Sequence, residues 1–296
     1  MSKSRHTRPM IHDPGAARIK AARQLAKRSF RDRSRLFLAE GPQAVREALG
    51  TDLPGATARS AVPGQGSLIR ELFVTAPARA RHEDLVGAVL ATGAAVHEIS
   101  GELMAELAQT VTPQGLLAVC PFIDQSLADL IARAPALVVV LANVRDPGNA
   151  GTVLRTADAA GAGGVIFSTA SVDPYNSKCV RSSAGSLFHL PFAVGVPLPE
   201  AVAALKNAGL AVFAADGSAG RRLDELETTG RLAAPTGWLF GNEAWGLPAE
   251  YLALADEAVA VPIYGRAESL NLAAAAAVLL YASARAHAQG GAVQVT

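Results

Sequence analysis

The 296-residue sequence has few of the residues that build disulfide frameworks or metal centres. Its two cysteines, Cys120 and Cys179, lie far apart, without a CxxC or a histidine at ligand spacing, and the six histidines are scattered. This pattern excludes a disulfide scaffold and supplies no zinc ligand set. We therefore expect no metal site and a reducing compartment, the cytoplasm.

Long apolar runs are also missing. The most apolar stretch, residues 272–282, is shorter than the ~20 residues that a membrane span requires. No apolar segment follows the first basic residues, as it would in a secretory signal. We therefore expect no membrane partner, and we interpret residues 272–282 as part of a buried helix.

Acidic residues are scarce at the start of the chain, although the formal net charge is only +1. Asp13 and Asp32 are the only two among residues 1–35, which carry eleven basic residues: Lys3, Arg5, Arg8, Arg18, Lys20, Arg23, Lys27, Arg28, Arg31, Arg33 and Arg35. Such a stretch either binds a polyanion such as RNA through counterion release or is merely solvated. We predict a flexible basic arm over residues 1–14. We also predict RNA contacts at Arg23, Lys27, Arg28 and Arg35.

Strand and helix patterns alternate after this stretch, which predicts an α/β class with two modules. The first module, residues 15–122, has an aperiodic loop at residues 50–67 that we expect to be mobile. Its strands are predicted over residues 35–41, 70–76, 95–100 and 115–122, and its helices over 42–49, 82–92 and 102–108. A linker with one or two helical turns follows over residues 123–135.

The second module, residues 136–296, has apolar runs without strict alternation, which indicates strands covered on both faces. A mostly parallel sheet flanked by helices follows from this pattern. Its strands are predicted over residues 137–142, 165–168, 192–196, 211–215, 238–240 and 258–263. Its helices are predicted over residues 150–160, 177–187, 199–208, 248–254 and 270–287.

The first turn of the second module, in ALVVVLANVRDPGNAGTVLRTADAAG (residues 136–161), has the position of a phosphate loop without its glycine spacing. The glycines fit neither GxGxxG nor GxxxxGKS, so a dinucleotide or triphosphate loop is not indicated. Asn149 can cap the next helix. Arg155, about 9 Å further along that helix, can lean back toward the cap, or it is a solvated residue paired with Asp158.

Two later turns have the same design. GWLFGNEAWGLP (residues 237–248) places Asn242 and Glu243 after a short apolar strand, and in VPIYGRAESLNLAAAAAVLLY (residues 261–281) Ser269 is predicted to cap a long helix. Gly241 leaves backbone groups bare for a ligand. Because ligands of open α/β sheets bind outside the carboxyl ends of the strands, we expect the three turns to form one pocket.

Several side chains have two interpretations at this point. Glu243 either orients a ligand or satisfies the backbone amides that open the next helix. Lys178 and Arg181, on the predicted helix over residues 177–187, either contact RNA phosphates or lie on a solvated helix face.

In this order the three turns resemble the three motifs of the SpoU/TrmH branch of SPOUT RNA methyltransferases. Residues 173–192 also look like that family, and the first module resembles its N-terminal substrate-binding domain. The resemblance implies a C-terminal trefoil-knotted, mostly parallel sheet flanked by helices, with a smaller N-terminal α/β RNA-binding domain. It also implies a homodimer formed through the knotted domain.

The resemblance further implies transfer of a methyl group from S-adenosyl-L-methionine to a ribose 2'-hydroxyl of RNA. The residues in catalytic or site-organising positions would be Arg155, Asn149, Glu243, Ser269 and Asn271. The cofactor-binding residues would be Phe240, Gly241, Asn242, Val261, Pro262, Ile263, Leu270 and Leu272. The appended first module favours 23S ribosomal RNA; the alternatives are transfer RNA and a catalytically inactive RNA-binding or ribosome-assembly protein.

Arg155 has two possible roles in such a reaction. In the family, its counterpart is assigned to activate the hydroxyl, yet an arginine is a poor base at neutral pH. Either Arg155 loses its proton locally, or it remains charged and stabilises the developing alkoxide. We favour the second role because of its charge.

Overall fold

A computed structural model describes residues 16–50 and 66–293 of the chain. The predicted arm at residues 1–14 and almost all of the predicted loop at residues 50–67 lie outside the described residues. No helix in the described part is long and apolar enough to cross a membrane. The described part also contains no cluster of three or more His, Cys, Asp or Glu residues that could hold a metal ion.

The chain divides into two compact units. The first contains the residues up to Ile123 together with Tyr175–His189, and the second contains Asp124–Pro174 and the residues from Leu190 onward. The segment Tyr175–His189, which lies inside the predicted second module, is therefore part of the first unit.

The helices and strands are numbered in chain order. The strands are β1 (Leu36–Glu40), β2 (Glu71–Val74), β3 (Ala95–Glu98), β4 (Leu116–Pro121), β5 (Leu137–Leu141), β6 (Gly164–Ser168), β7 (Phe192–Val196), β8 (Ala211–Ala215), β9 (Arg221–Arg222), β10 (Thr236–Phe240) and β11 (Glu257–Ala260). The α-helices are α1 (Ala17–Gln24), α2 (Arg28–Ser34), α3 (Pro42–Leu49), α4 (Ala76–Arg81), α5 (Glu83–Ala91), α6 (Gly101–Ala108), α7 (Leu127–Ile131), α8 (Pro147–Ala159), α9 (Ser177–Ser182), α10 (Leu198–Asn207), α11 (Leu223–Thr228), α12 (Ala249–Leu252) and α13 (Leu272–Val293). Two short 3-10 helices are η1 (Ser186–Phe188) and η2 (Arg231–Ala233).

The first unit contains a four-stranded sheet in the order β1-β4-β2-β3. Strand β4 is antiparallel to both of its neighbours, and β2 is parallel to β3. Helix α1 packs against α6, and Ile19 and Ala22 are buried in the same core cluster as Phe73 and Met104. Helix α1 was not predicted, because the many Lys and Arg side chains before residue 35 obscured its apolar positions.

The second unit contains a seven-stranded sheet in the order β7-β6-β5-β10-β8-β11-β9, in which every pairing is parallel. On one face, Val140 of β5 and Leu239 of β10 share a core cluster with Leu205 of α10. On β10, the buried indole of Trp238 donates a hydrogen bond to Ser283 Oγ of α13, over 2.9 Å. The prediction of an α/β fold, with a helix-flanked parallel sheet and a smaller N-terminal sheet, is confirmed.

Most predicted elements have the predicted type, and their ends differ by a few residues. The predicted helix over residues 177–187 begins at the predicted residue but is too long, because α9 ends at Ser182 and the short η1 follows. Ala184 and Gly185 between them adopt positive φ angles of 50° and 99°, which end an α-helix. Helices α2, α4 and α11 and strand β9 were not predicted. Helix α7, within the predicted linker, agrees with the one or two helical turns expected there.

Helix α9 is attached to the first sheet by a partly buried ion pair. Arg181 Nη1 donates to Glu40 Oε2 of β1 at 3.3 Å and to the carbonyl oxygen of Ala108 at 3.2 Å. The Glu40 side chain is only 4% exposed, and its Oε1 accepts from the backbone N of Gln114. Burial raises the pKa of Glu40, while the Gln114 amide and Arg181 act in the opposite direction.

We expect Arg181→Met to destabilise the protein more at pH 8 than at pH 5. Without the guanidinium, the pKa of Glu40 rises further above its unfolded value, so the stability contributed by the protonated form is lost as the pH rises through the folded pKa. At pH 8 the loss should be about 2 kcal/mol, below the range for fully buried pairs because Arg181 is partly exposed. Urea denaturation at both pH values measures this loss of stability.

The matched control is Glu40→Gln combined with Arg181→Met. The glutamine cannot ionise and keeps an acceptor for the Gln114 amide, so the additional pH dependence should disappear. An equal loss for Arg181→Met at pH 5 and pH 8 would contradict an electrostatic role for this pair.

Candidate active site

Three polar turns begin at the carboxyl ends of β5, β10 and β11. In the sheet, Leu141 at the end of β5 pairs with Phe240 at the end of β10, and Phe240 also pairs with Ala215 at the end of β8. Strand β11 is paired with β8 on its other side. Because these parallel strands end at nearly the same level, the turns that follow them start side by side.

Asp146, and not Asn149, is the N-cap of α8. Its Oδ1 accepts from the backbone N of Asn149 at 2.8 Å, and Pro147 occupies the first turn of the helix, where its missing N–H costs nothing. Asn149, which was a possible cap by its residue type, therefore does not cap this helix. As a result, the Asn149 side-chain amide is available to bond to the other turns.

Asn271, and not Ser269, caps α13. Asn271 Oδ1 accepts from the backbone N of Ala273 at 2.9 Å, and its carbonyl oxygen accepts from Ala275 N. The predicted cap at Ser269 is wrong because α13 starts at Leu272, two residues later than predicted. Ser269 instead lines a cleft at this edge of the sheet.

A tight turn follows β10. Asn242 and Gly246 exchange two backbone hydrogen bonds of 2.9 Å each, and Asn242 Oδ1 accepts from Ala244 N at 2.8 Å. Gly241 is required because a Cβ atom there would lie 2.4 Å from the carbonyl carbon of Gly246. The missing side chain at Gly241 therefore makes room for the backbone of the same turn. The Asn242 amide also donates to the carbonyl oxygen of Asn143, at 2.8 Å, which joins this turn to the one after β5.

The Glu243 carboxylate binds the turn that opens α8. It accepts from the backbone N of Arg145 at 3.3 Å, from the backbone N of Asp146 at 3.2 Å and from Asn149 Nδ2 at 3.3 Å. A negative charge at a helix N-terminus is favourable. Glu243 thus satisfies backbone amides, as one of its two interpretations held, but these belong to α8 and not to the next helix along the chain.

The Asn149 amide connects all three turns. Its Nδ2 donates to Glu243 in the turn after β10, and its Oδ1 accepts from Asn271 Nδ2 at 3.2 Å. Three of the five predicted catalytic or site-organising residues are therefore in direct contact. The prediction that the three turns converge is confirmed.

A cleft of about 300 Å³ lies next to this network. Seven of the eight predicted cofactor-binding residues line it, namely Phe240, Gly241, Asn242, Val261, Ile263, Leu270 and Leu272, and Pro262 does not. Asp216 and Gly217, in the turn after β8, also line it and were missed. The glycine-bearing polar turn ADGSAG after a predicted strand was the signal that could have found them.

The cleft suits a ligand with both apolar and polar parts. Its volume is at the lower end of the range for small-molecule sites, its walls are apolar at Phe240, Leu270 and Leu272, and the turn after β10 contributes backbone groups. These features fit S-adenosyl-L-methionine, which has an adenine ring, a ribose and a charged amino acid part.

Arg155 does not line this cleft. It lies on the exposed side of α8, six residues after Asn149, and its side chain forms no hydrogen bond or ion pair with residues 16–50 or 66–293. Val153, Leu154 and Ala157 form the buried face of the helix. The guanidinium is thus available to a ligand, although the structure does not bring it into the Glu243–Asn149–Asn271 network.

The predicted RNA-binding residues are all in the first unit. Arg181 is held by Glu40, so its contacts do not favour an RNA role.

The other predicted RNA-binding arginines also have neighbours in the first unit. Arg23 pairs with Glu106 at 2.6 Å, Arg28 lies 3.7 Å from Asp32, and the Arg35 guanidinium lies 4.5 Å from the centre of the Phe122 ring. Lys27 and Lys178 are exposed. RNA binding by these residues remains a prediction.

A cleft at the carboxyl edge of a parallel α/β sheet is general to α/β enzymes, and comparison with known proteins identifies the class as RNA-modifying methyltransferases. The profile of the SpoU rRNA Methylase family matches residues 136–281, and that of the MRM3-like substrate binding domain matches residues 16–118. The sequence is 34% identical to the 23S rRNA (guanosine(2553)-2'-O)-methyltransferase RlmP of Bacillus subtilis, over 89% of this chain and 94% of that one.

Solved structures agree with these matches. The AdoMet-bound rRNA methyltransferase of Sinorhizobium meliloti superposes with a TM-score of 0.77 and 29% identity, over 94% of this chain and 97% of that one. The SpoU methyltransferase AviRb of Streptomyces viridochromogenes, in complex with AdoMet, gives a TM-score of 0.73 and 29% identity, over 91% and 98%. The chain belongs to the SpoU rRNA Methylase family. The predictions of this family and of a methyltransferase are therefore confirmed.

We expect Asn149→Asp to weaken the network that joins the turns. The introduced carboxylate still accepts from Asn271, but it lies against the carboxylate of Glu243. The free energy of unfolding should fall by about 1 kcal/mol, the usual worth of such a hydrogen bond, and the affinity for S-adenosyl-L-methionine should fall with it. Thermal denaturation and calorimetric titration measure the two effects.

The matched control adds Glu243→Gln to Asn149→Asp. The glutamine amide can donate to the introduced carboxylate, while the glutamine carbonyl oxygen still accepts from the turn before α8. The double variant should therefore recover part of both losses. A double variant that is worse than either single variant would show that the two side chains do not act on each other.

Proposed function

We propose that this protein transfers a methyl group from S-adenosyl-L-methionine to a ribose 2'-hydroxyl of RNA, with 23S ribosomal RNA as the substrate. The observation that carries the proposal is the hydrogen-bonded network of Glu243, Asn149 and Asn271 beside a ligand-sized cleft. Two relatives, RlmP of Bacillus subtilis and an enzyme of Streptomyces viridochromogenes, are named as 23S rRNA 2'-O-methyltransferases. Their names support 23S ribosomal RNA as the substrate over transfer RNA.

The intact network argues against a catalytically inactive RNA-binding protein. A donor cleft without a function would be under no constraint to keep three side chains from distant turns in mutual contact. Three of the five residues predicted for catalytic or site-organising positions are in mutual contact, and seven of the eight predicted cofactor-binding residues line the cleft. An active enzyme accounts for both observations.

The cleft would hold the cofactor through Phe240, Leu270 and Leu272 and through the backbone groups of the turn after β10. Bound there, S-adenosyl-L-methionine supplies an electrophilic methyl group on a positively charged sulfur. Two AdoMet-bound relatives support this assignment. Because that positive charge disappears during transfer, apolar walls that exclude water suit the reaction and no carboxylate is needed beside the sulfur.

Arg155 would act on the RNA hydroxyl. An arginine stays charged in proteins, so Arg155 does not serve as the base. It would stabilise the alkoxide that develops as the hydroxyl passes its proton to solvent water on the exposed side of α8. Its exposed position and its lack of partners within the described ranges support this role. RNA would then have to reach Arg155 from the solvent side of α8.

The remaining features are proposed from the family. We propose a homodimer, since Val278 and Tyr281 on α13 are large apolar residues left exposed. We propose a cytoplasmic location from the resemblance to the family alone. The insertion of β10 between β5 and β8 supports a trefoil knot in residues 136–296. We also propose that residues 15–122 bind RNA, together with the arm at 1–14, and that residues 123–135 act as the linker; the matched ranges 16–118 and 136–281 support this division.

The function is tested by mapping ribose methylation in RNA from cells with and without the gene. Mass spectrometry of the nucleosides should find one 2'-O-methyl group in 23S RNA that depends on this protein. An unchanged methylation map in ribosomal and transfer RNA would rule the proposal out. Calorimetry with S-adenosyl-L-methionine would distinguish an inactive RNA-binding protein, which binds no methyl donor, from an enzyme, which binds it.

We expect Arg155→Ala to lower the rate of methyl transfer by about 10²-fold, on the scale of losing one electrostatic stabiliser. Donor affinity should be nearly unchanged, because Arg155 does not line the cleft. Arg155→Lys keeps the charge and should recover part of the rate. Single-turnover methyl transfer to a 23S RNA fragment measures these rates. A rate for Arg155→Ala close to that of the unmodified enzyme would remove Arg155 from the mechanism.

A further inference from the structure

Trp245 is a large aromatic side chain that the fold leaves in solvent beside the active site. It is 54% exposed, while both of its chain neighbours, Ala244 and Gly246, line the cleft. The sequence has only one other tryptophan, Trp238, which is fully buried. Trp245 therefore contributes little to the core, and its position needs another explanation.

The turn that carries Trp245 is fixed at both ends. Asn242 and Gly246 exchange two backbone hydrogen bonds around it, and the Asn242 side chain is bonded to Ala244 N and to the Asn143 carbonyl oxygen. An aromatic ring held on such a turn loses little conformational freedom when it binds a ligand. The backbone that carries the indole is thus preformed.

A cation lies over this ring. The guanidinium carbon of Arg145 is 5.2 Å from the centre of the Trp245 ring, which is within the range of a cation–π contact. The Arg145 backbone N also donates to Glu243, so the pair is tied to the catalytic network. An exposed indole next to an exposed guanidinium offers a planar stacking surface and a positive charge at the same place.

We propose that Trp245 is a positioning residue that stacks against a base of the RNA substrate close to the methylated nucleotide, while Arg145 binds a neighbouring phosphate. This inference rests on the proposed function. Proteins recognise unpaired RNA by stacking its bases on aromatic side chains and by pairing arginine with its phosphates. A second copy of this chain is less suitable as the occupant, because the ring is flanked by the charged Arg145 and Glu243.

The two tryptophans make the stacking directly measurable. Stacking of a base on an indole quenches its fluorescence, and only Trp245 is accessible to RNA. Adding a 23S RNA fragment that the enzyme methylates should quench part of the tryptophan emission of the unmodified protein and none of that of Trp245→Phe, in which Trp238 is the one remaining tryptophan. Equal quenching in both proteins would overturn the inference.

Kinetic measurements on the same RNA fragment distinguish a contact that needs an aromatic ring from one that needs only an apolar side chain. We expect Trp245→Ala and Trp245→Leu to raise KM for RNA by about tenfold to one hundredfold, the range for losing one stacked base, with a smaller change in kcat. Trp245→Phe, which keeps a ring, should stay within about threefold of the unmodified protein, since a phenyl ring still stacks. Donor affinity, measured by calorimetry, should be unchanged in all three variants.

The remaining outcomes are each decisive. If leucine replaces Trp245 as well as phenylalanine does, or if Trp245→Ala separates a dimer in sedimentation, the residue serves an apolar contact between copies and the inference is wrong. If all three variants keep the KM of the unmodified enzyme, Trp245 does not contact RNA although the proposed function stands. If the unmodified enzyme methylates no RNA, the proposed function fails and the inference fails with it.

Discussion

The side-chain amide of Asn149 is the contact on which the arrangement of the site depends. A primary amide donates and accepts at the same time, and Asn149 uses both capacities, toward Glu243 and from Asn271. Each bond is long and partly exposed, so each adds only about 0.5–1 kcal/mol to stability. Their importance is therefore geometric, because they set the position of three turns, the first of which is more than ninety residues from the other two.

The register of the sheet makes this contact possible. Leu141, Phe240 and Ala215 are consecutive partners across β5, β10 and β8, so these three strands end at one level. Strand β11, which leads to the third turn, is in turn paired with β8. Strands β5 and β10 are buried on both faces, which keeps that level fixed. The same register explains why Asp216 and Gly217 line the cleft, since β8 lies between two strands whose turns were already assigned to the site.

The sequence could predict the strand ends but not which residue would cap each helix. Apolar runs and glycine-bearing turns located the three segments, because these signals are local. Asp146 and Asn149, like Ser269 and Asn271, are all acceptable caps by type, so propensity alone does not separate them. The choice is made by Pro147, which fixes the start of α8, and by the contact of Asn271 with a turn more than a hundred residues away.

The two tryptophans have different roles because one is buried in the sheet and the other is exposed on a turn. Trp238 lies inside β10, where its indole N–H needs a partner and finds Ser283, so it joins the sheet to α13. Seven residues later the chain has left the sheet, and the hydrogen bonds of the turn around Asn242 hold Trp245 toward solvent. Composition and periodicity treat the two residues alike. Only the end of the strand at Phe240 separates a side chain that stabilises the fold from one that is available to a ligand.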